Sequence, residues 1–548
     1  MTTEMERSTE ESVGILCYTN NAEPISGIIK DRYSDFHVHE IDKNGNVVYL
    51  TENRVIPEVS YPDGYEEWLS SGEGSFTFQP TSEDQVTQIY YSQPTFSVLT
   101  LSDKRVVVEK MYKKKTRPVN IQFVLFKVNM NQQEAISRIA RKVDKPKKFI
   151  GFAGTKDKRA ITTQLCSIKN VSMNLFVEAA SKLEGNLKIS DIRYIRDPLT
   201  LGDLSGNRFT IVLRDLQASS PNLDINDATR NSIDALKESG FINYFGMQRF
   251  GTSTIPTHYI GILILQREWS KIIDTLLEPQ ENEIPALREA KLLYQKTHDA
   301  QLAMKKTPKS AQAELAIFKA IAHAQQPNPL SRPYELFSQI DRRMRMIYVH
   351  AYQSYLWNHL VSQRLQEYGN EVHIGDLVMI DEDKKLVTEV TEDNIHNYSI
   401  FDVVIPLPGR SISNMKQNLI DLMAQDNVTP EMFQKLSGEY GAGGDLRHIL
   451  AMPKDLEWEI LSYNDSKAAL IDSDLDVLEH RTNRTNCVEN GRFIALKLSF
   501  SLSNGQYATM CMRELLKRST EWFVDSEFTK KKDEDEGSSW WPNICTIC

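Results

Sequence analysis

Apolar and polar residues alternate along several short segments of the chain, and this period of two is typical of strands. The clearest of them lie in the first 215 residues and again after residue 454. They are VGILCY (13–18), SGIIK (26–30), PVNIQFVLFKVNM (118–130), NRFTIVL (207–213), DLEWEILSYN (455–464) and RFIALKLSFSLS (492–503). The pattern predicts that these two distant parts of the chain build one sheet.

Apolar residues spaced three and four apart predict helices in other parts of the chain. NQQEAISRIARKV (131–143) directly follows a predicted strand, and INDATRNSIDALKESG (225–240) ends at a glycine, the usual stop residue. The stretch 267–346 is strongly helical up to a proline cluster near Pro327, and 341–368 predicts one long amphipathic helix. A small β unit follows at 375–393. The middle of the chain is therefore mostly helical.

The two patterns together predict an α+β protein whose first domain is interrupted by an insertion. We place the first domain at 13–265 and 456–528 and the mostly helical insertion at 266–455. The segment 61–102 is rich in Gly, Ser, Pro and Thr, which predicts an irregular insertion. We expect residues 1–12 to be disordered and 529–548 to form a polar tail.

The charge distribution is uneven along the chain. The formal net charge is −10, which argues against a protein that holds nucleic acid by its overall charge. However, Lys104 to Arg117 holds seven basic residues against one acidic residue, and Arg138 to Arg159 holds nine against two. Such runs are most often solvated faces, yet a local basic groove can still bind nucleic acid.

The six cysteines of the chain predict free thiols in a reducing compartment, either the nucleus or the cytoplasm. We find no signal peptide, and the longest apolar run, YIGILIL at 259–265, is far too short for a membrane span. The last four residues, CTIC, have the outline of a prenylation signal. We attribute this outline to chance, because Thr546 is not aliphatic and cysteine is an unusual last residue.

The segment GTKDKRAITTQ (154–164) places Asp157 in a loop after the apolar FIGFAG. Lys156, Lys158 and Arg159 flank it, and adjacent positive charge favours the ionised carboxylate that a nucleophile or general base requires. The cations also suit an anionic substrate. Taken alone, a charged loop at a strand end is more often a solvated turn, and Lys156 as a Schiff-base lysine has no particular support.

The segment NYFGMQRFG (243–251) interleaves three aromatic residues with two glycines and an arginine. This composition suits stacking on a base and contact with a nucleic-acid backbone. An isolated NYFG is more simply an aromatic core turn. Two such unusual segments in one chain favour a functional role for both.

These two segments resemble the signature motifs of the TruD-type pseudouridine synthases, G-x-K-D-x-x-A-x-T-x-Q and N-Y-F-G-x-Q-R-F-G. Three further segments resemble family motifs, and the eukaryotic branch is favoured by HAYQSYLWN (350–358) and the large helical insertion. The three segments are 27–36 with Val38 and Glu40, LGDLSGNRF (201–209) and GQYATMCMREL (505–515). The chain departs from the family pattern at 502–505, which lacks the usual proline, and at Leu446. Both departures concern supporting loops, so they bear on RNA affinity or preference more than on catalysis.

The resemblance implies an RNA-modifying enzyme with a pseudouridine synthase catalytic domain, a mixed or antiparallel sheet and a TRUD insertion domain. It implies Asp157 as the nucleophile, Phe245 as the residue that stacks on the flipped uracil, and Asn243 as a positioning residue. Lys30 is a candidate charge partner for Asp157. We expect the RNA to be contacted by basic residues, which are Lys113, Lys114, Lys115, Lys156, Lys158, Arg159, Arg249 and Arg447.

The implied reaction needs no cofactor and no metal, and the eleven histidines show no metal-binding spacing. By resemblance the partners are RNAs: the D-arm of tRNA, and small nuclear and messenger RNA. We expect a monomer. Two other classes remain open at this point, a catalytically silent RNA chaperone on the same scaffold and a structural protein whose basic runs are solvated faces.

Overall fold

The computed structural model describes residues 8–52, 55, 62–71, 74–82, 85–87, 89, 96–110, 120–220, 222–251, 255–281, 283–324, 328–411 and 416–520. Their contacts divide the chain into two compact units. We call them the sheet unit, whose described residues lie in 27–217 and 454–505, and the helical unit, whose described residues lie in 8–26, 218–453 and 506–520. These borders differ from those of the insertion domain expected at 266–455, which stays a prediction.

The sheet unit contains a mixed sheet of nine strands, with strands numbered along the whole chain. They are β1 (Ile25–Ile29), β2 (Phe36–Ile41), β6 (Asn120–Val128), β7 (Ile150–Phe152), β8 (Ile161–Lys169), β9 (Leu187–Ile195), β10 (Gly206–Ala218), β17 (Lys454–Tyr463) and β18 (Phe493–Ser503). The main order is β17-β18-β10-β2-β8-β6-β9, while β1 pairs with β10 and β7 with β8. The β2–β8 pair is parallel. Strands distant in sequence therefore share one sheet, as the alternation predicts.

Two helices cover part of this sheet, α2 (Gln132–Lys142) and α3 (Met173–Ser181). The core beneath them combines Phe123 and Leu125 of β6 with Ile139 and Phe176 of the helices. Asn131 caps α2, since its side chain accepts a hydrogen bond from Gln133 N at 2.8 Å. A short helix, α14 (Asp474–Leu478), also belongs to this unit.

The described part of 61–102 contains regular structure, unlike the sequence-based expectation of an irregular insertion. It includes α1 (Tyr65–Ser71) and the strands β3 (Ser75–Phe78) and β4 (Phe96–Thr100), which pair with β5 (Val106–Lys110) in the order β3-β5-β4. Tyr65 and Phe78 pack with Val106 and Val108 in a core of their own. The turn-forming residues obscured this pattern because the apolar residues of the core are spread over short segments separated by Gly, Ser, Pro and Thr.

The helical unit contains most of the described helices and two small sheets. The helices are α4 (Ile225–Ser239), α5 (Thr257–Gln266), α6 (Trp269–Leu277), α7 (Pro285–Thr297), α8 (Ala300–Lys306), α9 (Gln312–Ala322), α10 (Pro333–Ser338), α11 (Arg342–Tyr368), α12 (Gln417–Gln425), α13 (Pro430–Gln434) and α15 (Ala508–Leu516). β11 (Phe241–Ile242) pairs with β16 (Leu450–Ala451), and β12 (Leu377–Asp381), β13 (Leu386–Glu389), β14 (Val403–Leu407) and β15 (Asp445–His448) form a sheet of their own. The predicted long helix is α11, and its buried face joins α5 to α12 in one core.

The start of the chain differs from two expectations. Glu10, within the segment expected to be disordered, is buried and accepts hydrogen bonds from Arg513 at 2.8 Å and Thr520 N at 2.7 Å. VGILCY forms no strand but follows a short 3-10 helix, Glu11–Val13. Arg513 also donates to Cys17 O at 2.7 Å, so partners that are distant in sequence order this segment.

Candidate active site

Asp157 lies in the loop between β7 and β8 of the sheet unit, and two buried side chains hold that loop. Lys127 on β6 donates from Nζ to Asp157 O at 2.6 Å. Gln164 on β8 donates from Nε2 to Gly154 O at 3.0 Å. Both are fully buried, so each satisfies a polar group on the loop away from water. The backbone beneath Asp157 is thus fixed by the sheet.

The carboxylate of Asp157 forms an ion pair with Lys30. Lys30 Nζ lies 2.5 Å from Asp157 Oδ2, and the two side chains remain 26% and 23% exposed. Lys30 follows β1 and has a positive φ of 53°, a backbone conformation that is uncommon for residues other than glycine. Its ammonium also lies 3.9 Å from the centroid of the Phe36 ring. The predicted pairing of Lys30 and Asp157 is present, and the carboxylate keeps some access to solvent.

Lys156, the neighbour of Asp157, points into the protein rather than towards solvent. Its Nζ lies 2.8 Å from Glu40 Oε2 on β2, and the two side chains are 4% and 0% exposed. A buried cation with a buried counter-ion cannot reach a phosphate without breaking the pair. The expectation that Lys156 contacts RNA is therefore corrected: this residue anchors the loop to the sheet.

Arg159 is also committed to the protein. It donates from Nε to Lys30 O at 3.2 Å and from Nη2 to Asp31 O at 2.9 Å. It thereby braces the backbone that carries the partner of Asp157, and its role in RNA binding stays a prediction. Lys158 is half-buried. Lys113, Lys114 and Lys115 lie outside the described residues.

Phe245 lies in the helical unit, in the loop that follows β11. One buried side chain on α11, Asn358, holds both polar backbone groups of this residue. Asn358 Oδ1 accepts from Phe245 N at 2.9 Å, and Asn358 Nδ2 donates to Phe245 O at 3.0 Å. The Trp357 ring meets the Phe245 ring edge to face, with centroids 5.6 Å apart. Helix α11 therefore sets the position of Phe245.

Arg447 on β15 joins Asn243 to Phe245. It donates from Nε to Asn243 O at 2.9 Å and from Nη2 to Asn243 Oδ1 at 2.7 Å, and its guanidinium carbon lies 4.1 Å from the Phe245 centroid. Asn243 Nδ2 donates in turn to His448 O at 3.0 Å. Burial lowers the pKa of Arg447 to about 10, so it remains charged at neutral pH. Arg447 therefore holds Asn243, and its expected contact with RNA stays a prediction.

Arg249 belongs to the same cluster. It is buried, and its guanidinium carbon lies 5.6 Å from the Phe245 centroid. The structure thus brings together Asp157 with Lys30 in the sheet unit, and Asn243, Phe245, Arg249 and Arg447 in the helical unit. The sequence analysis did not single out Lys127 or Asn358. Lys127 could have been noticed, because it is a charged residue inside an otherwise apolar strand.

Among the described residues, no group of three or more His, Cys, Asp or Glu side chains is arranged to hold a metal ion. Within the same residues no helix has both the length and the apolar character needed to cross a bilayer.

Comparison with known proteins identifies the class. The family model described as tRNA pseudouridine synthase D (TruD) matches residues 91–515. The human protein "Pseudouridylate synthase 7 homolog" is 32% identical over 93% of this chain and 81% of its own length. "Multisubstrate pseudouridine synthase 7" of Schizosaccharomyces pombe is 29% identical over 93% of this chain and 91% of its own.

A solved structure of the TruD protein from Methanosarcina mazei matches with a TM-score of 0.55 at 20% identity, covering 93% of this chain and 97% of that one. It supports the α+β fold. The chain is therefore a pseudouridine synthase. It belongs to the TruD family, and the predictions of family, fold class and enzyme class are confirmed.

Proposed function

We propose that this pseudouridine synthase modifies a uridine in the D-arm of tRNA, of the nucleotide-thirteen class, and further uridines in small nuclear and messenger RNA. The name of the matching family model supports tRNA as a substrate, and the name of the S. pombe relative supports more than one substrate. We propose further that the enzyme acts as a monomer in the nucleus or cytoplasm. Sedimentation of the purified protein gives its mass in solution and so tests whether it is a monomer.

The isomerisation breaks the bond from C1′ of the ribose to N1 of uracil and forms one from C1′ to C5. The C5 proton leaves and N1 gains a proton, so atoms and charge balance without an added reactant. Asp157 acts as the nucleophile, at the ribose or at the ring. The ion pair with Lys30 at 2.5 Å is the observation that carries this role, because it keeps the carboxylate charged while leaving it partly exposed.

Phe245 stacks on the detached uracil, and Asn243 helps to position it. Stacking on an aromatic ring contributes about 1–3 kcal/mol per base and offsets the cost of flipping a nucleotide. Phe245 is 6% exposed and Arg447 lies 4.1 Å from its centroid. A uracil that stacks here must therefore take the free part of the ring or displace the guanidinium.

The deciding experiment compares the wild type with Asp157→Asn on a uridine-containing tRNA, with pseudouridine scored chemically. Removal of a nucleophile lowers the rate by roughly 10⁴-fold or more. Asp455→Asn is the matched control: this exposed aspartate of the sheet unit has a positive φ of 50°, which asparagine also tolerates, and its variant should keep full activity. A wild type that forms no pseudouridine, or an Asp157→Asn variant as active as the control, overturns the proposal.

The alternative of a silent RNA chaperone on the same scaffold makes a different prediction. It expects RNA binding by the wild type and by Asp157→Asn alike, with no pseudouridine from either. The Lys30→Met variant distinguishes the enzyme from the chaperone in a second way. In an enzyme it lowers the rate because Asp157 loses its counter-ion, whereas in a chaperone RNA binding hardly changes.

A further inference from the structure

Lys156, Arg159 and Arg447, three of the basic residues expected to contact RNA, form ion pairs or hydrogen bonds within the protein, so other cations are needed to bind the phosphates. The segment 141–148, RKVDKPKK, carries five cations and a single acidic residue, Asp144. We call it the cationic segment. It connects α2 to β7, the strand that leads into the Asp157 loop. Arg141, Lys142, Lys147 and Lys148 are exposed, and Lys145 is half-buried.

None of the five cations forms an ion pair with a described carboxylate. The nearby Glu134 is engaged by Arg138 at 2.5 Å. Exposed cations elsewhere commonly have a partner, as in Lys182–Glu178 at 2.5 Å. In a chain with a net charge of −10, five neighbouring cations without such partners form a local positive surface.

The backbone of the cationic segment is fixed at both ends. Val143 is buried in the core beneath α2, and Lys145 N donates to Ala140 O at 2.9 Å. Phe149 N donates to Pro146 O at 3.0 Å, after which Ile150 pairs with β8. Little backbone freedom remains to be lost when a ligand binds. The five cations are therefore carried by an ordered backbone.

We propose that the cationic segment binds the phosphates of the RNA substrate. This inference rests on the proposed function and adds a surface to it. Lysine ammonium groups act as point charges towards phosphates and read no base, so the contact depends on the backbone of the RNA and not on its sequence. The segment and the Asp157 loop belong to the same compact unit, and they lie before and after the short strand β7. RNA held here is therefore held by the unit that carries the nucleophile.

The test removes four charges: Lys142→Gln, Lys145→Gln, Lys147→Gln and Lys148→Gln in one variant. The control makes the same change of net charge on the helical unit, at exposed Lys296, Lys305, Lys309 and Lys319, each to Gln. Binding of uridine-containing tRNA is measured across a range of salt concentrations. Each lost phosphate contact should reduce the slope of log K against log salt by about 0.7–0.9.

We expect the cationic-segment variant to show a shallower slope and a higher KM, with an unchanged rate at saturating RNA. The control should keep the slope of the wild type. An unaltered slope in the first variant, or an equal decrease in both, overturns the inference. Failure of the proposed function would look different, since the wild type itself would then form no pseudouridine.

Discussion

The loops that carry Asp157 and Phe245 are held in place by different kinds of interaction. Charged groups hold the Asp157 loop: the Lys156–Glu40 pair, the Lys127 ammonium and the ion pair with Lys30. The amide of Asn358 holds the backbone of Phe245, whose ring packs against Trp357. The carboxylate stays 23% exposed, whereas the ring is 6% exposed.

The difference follows from what each side chain does. A nucleophilic carboxylate must stay ionised, and nearby cations favour the ionised form. A stacking ring needs only a fixed orientation, which directed hydrogen bonds to its backbone supply. Buried charges are costly to leave unpaired, so the Asp157 loop should be the more sensitive of the two to the loss of a single partner.

Lys156→Met should cause the largest loss of stability, and it tests whether charged groups hold the Asp157 loop. It leaves the Glu40 carboxylate buried without its counter-ion, and breaking such a pair costs about 3–5 kcal/mol of unfolding free energy. Denaturant unfolding measures it. The double variant with Glu40→Leu should recover much of the loss, because no buried charge is then left unpaired. A loss below about 1 kcal/mol in the single variant would show that charge does not hold this loop.

Lowering the pH should destabilise the helical unit, because His350 is buried there and becomes protonated. Burial lowers the pKa of this histidine to about 4, from 6.5. The folded state therefore binds fewer protons than the unfolded state, and stability present above pH 6.5 is lost as the pH falls towards 4, by about 3 kcal/mol. His350→Gln should flatten this decline in unfolding measurements between pH 7 and 4. The same slope in both proteins would contradict the prediction.

Asn358→Leu tests the amide that holds Phe245. It leaves the buried backbone N–H and C=O of Phe245 without these partners, at a cost of about 1–3 kcal/mol for an unsatisfied group. The turnover rate should fall as well, because Phe245 shifts. The matched control is Gln353→Leu, a buried amide of the same helix that donates to Pro408 O at 2.5 Å. Equal turnover in the two variants would exclude a role for Asn358 in positioning.

Phe245→Leu should have the smallest effect of the four. It keeps an apolar side chain but removes the stacking surface, so the rate at saturating RNA should fall about tenfold, corresponding to about 1.4 kcal/mol. The Kd for RNA should change little, because phosphate contacts dominate affinity. A loss of affinity with an unchanged rate would place the ring in RNA binding instead.

The sequence predicted the main elements well where the pattern is local. Strand β6 and helices α4 and α11 lie where their periodicities place them, and Gly240 ends α4 as expected. It failed at 61–102, where scattered aromatic residues form a core that no short window reveals. It also failed at Glu10, which is ordered by Arg513 from the far end of the chain.

By itself the sequence determined the family, the enzyme class and the two motif segments, because these depend on residue types at fixed local spacing. Only the tertiary structure decided which of the motif cations are committed to the protein. Lys156 meets Glu40, Arg159 meets the backbone at Lys30, and Arg447 meets Asn243. Each partner is distant in sequence, and the direction of a long charged side chain is set by the partner that folding brings near it.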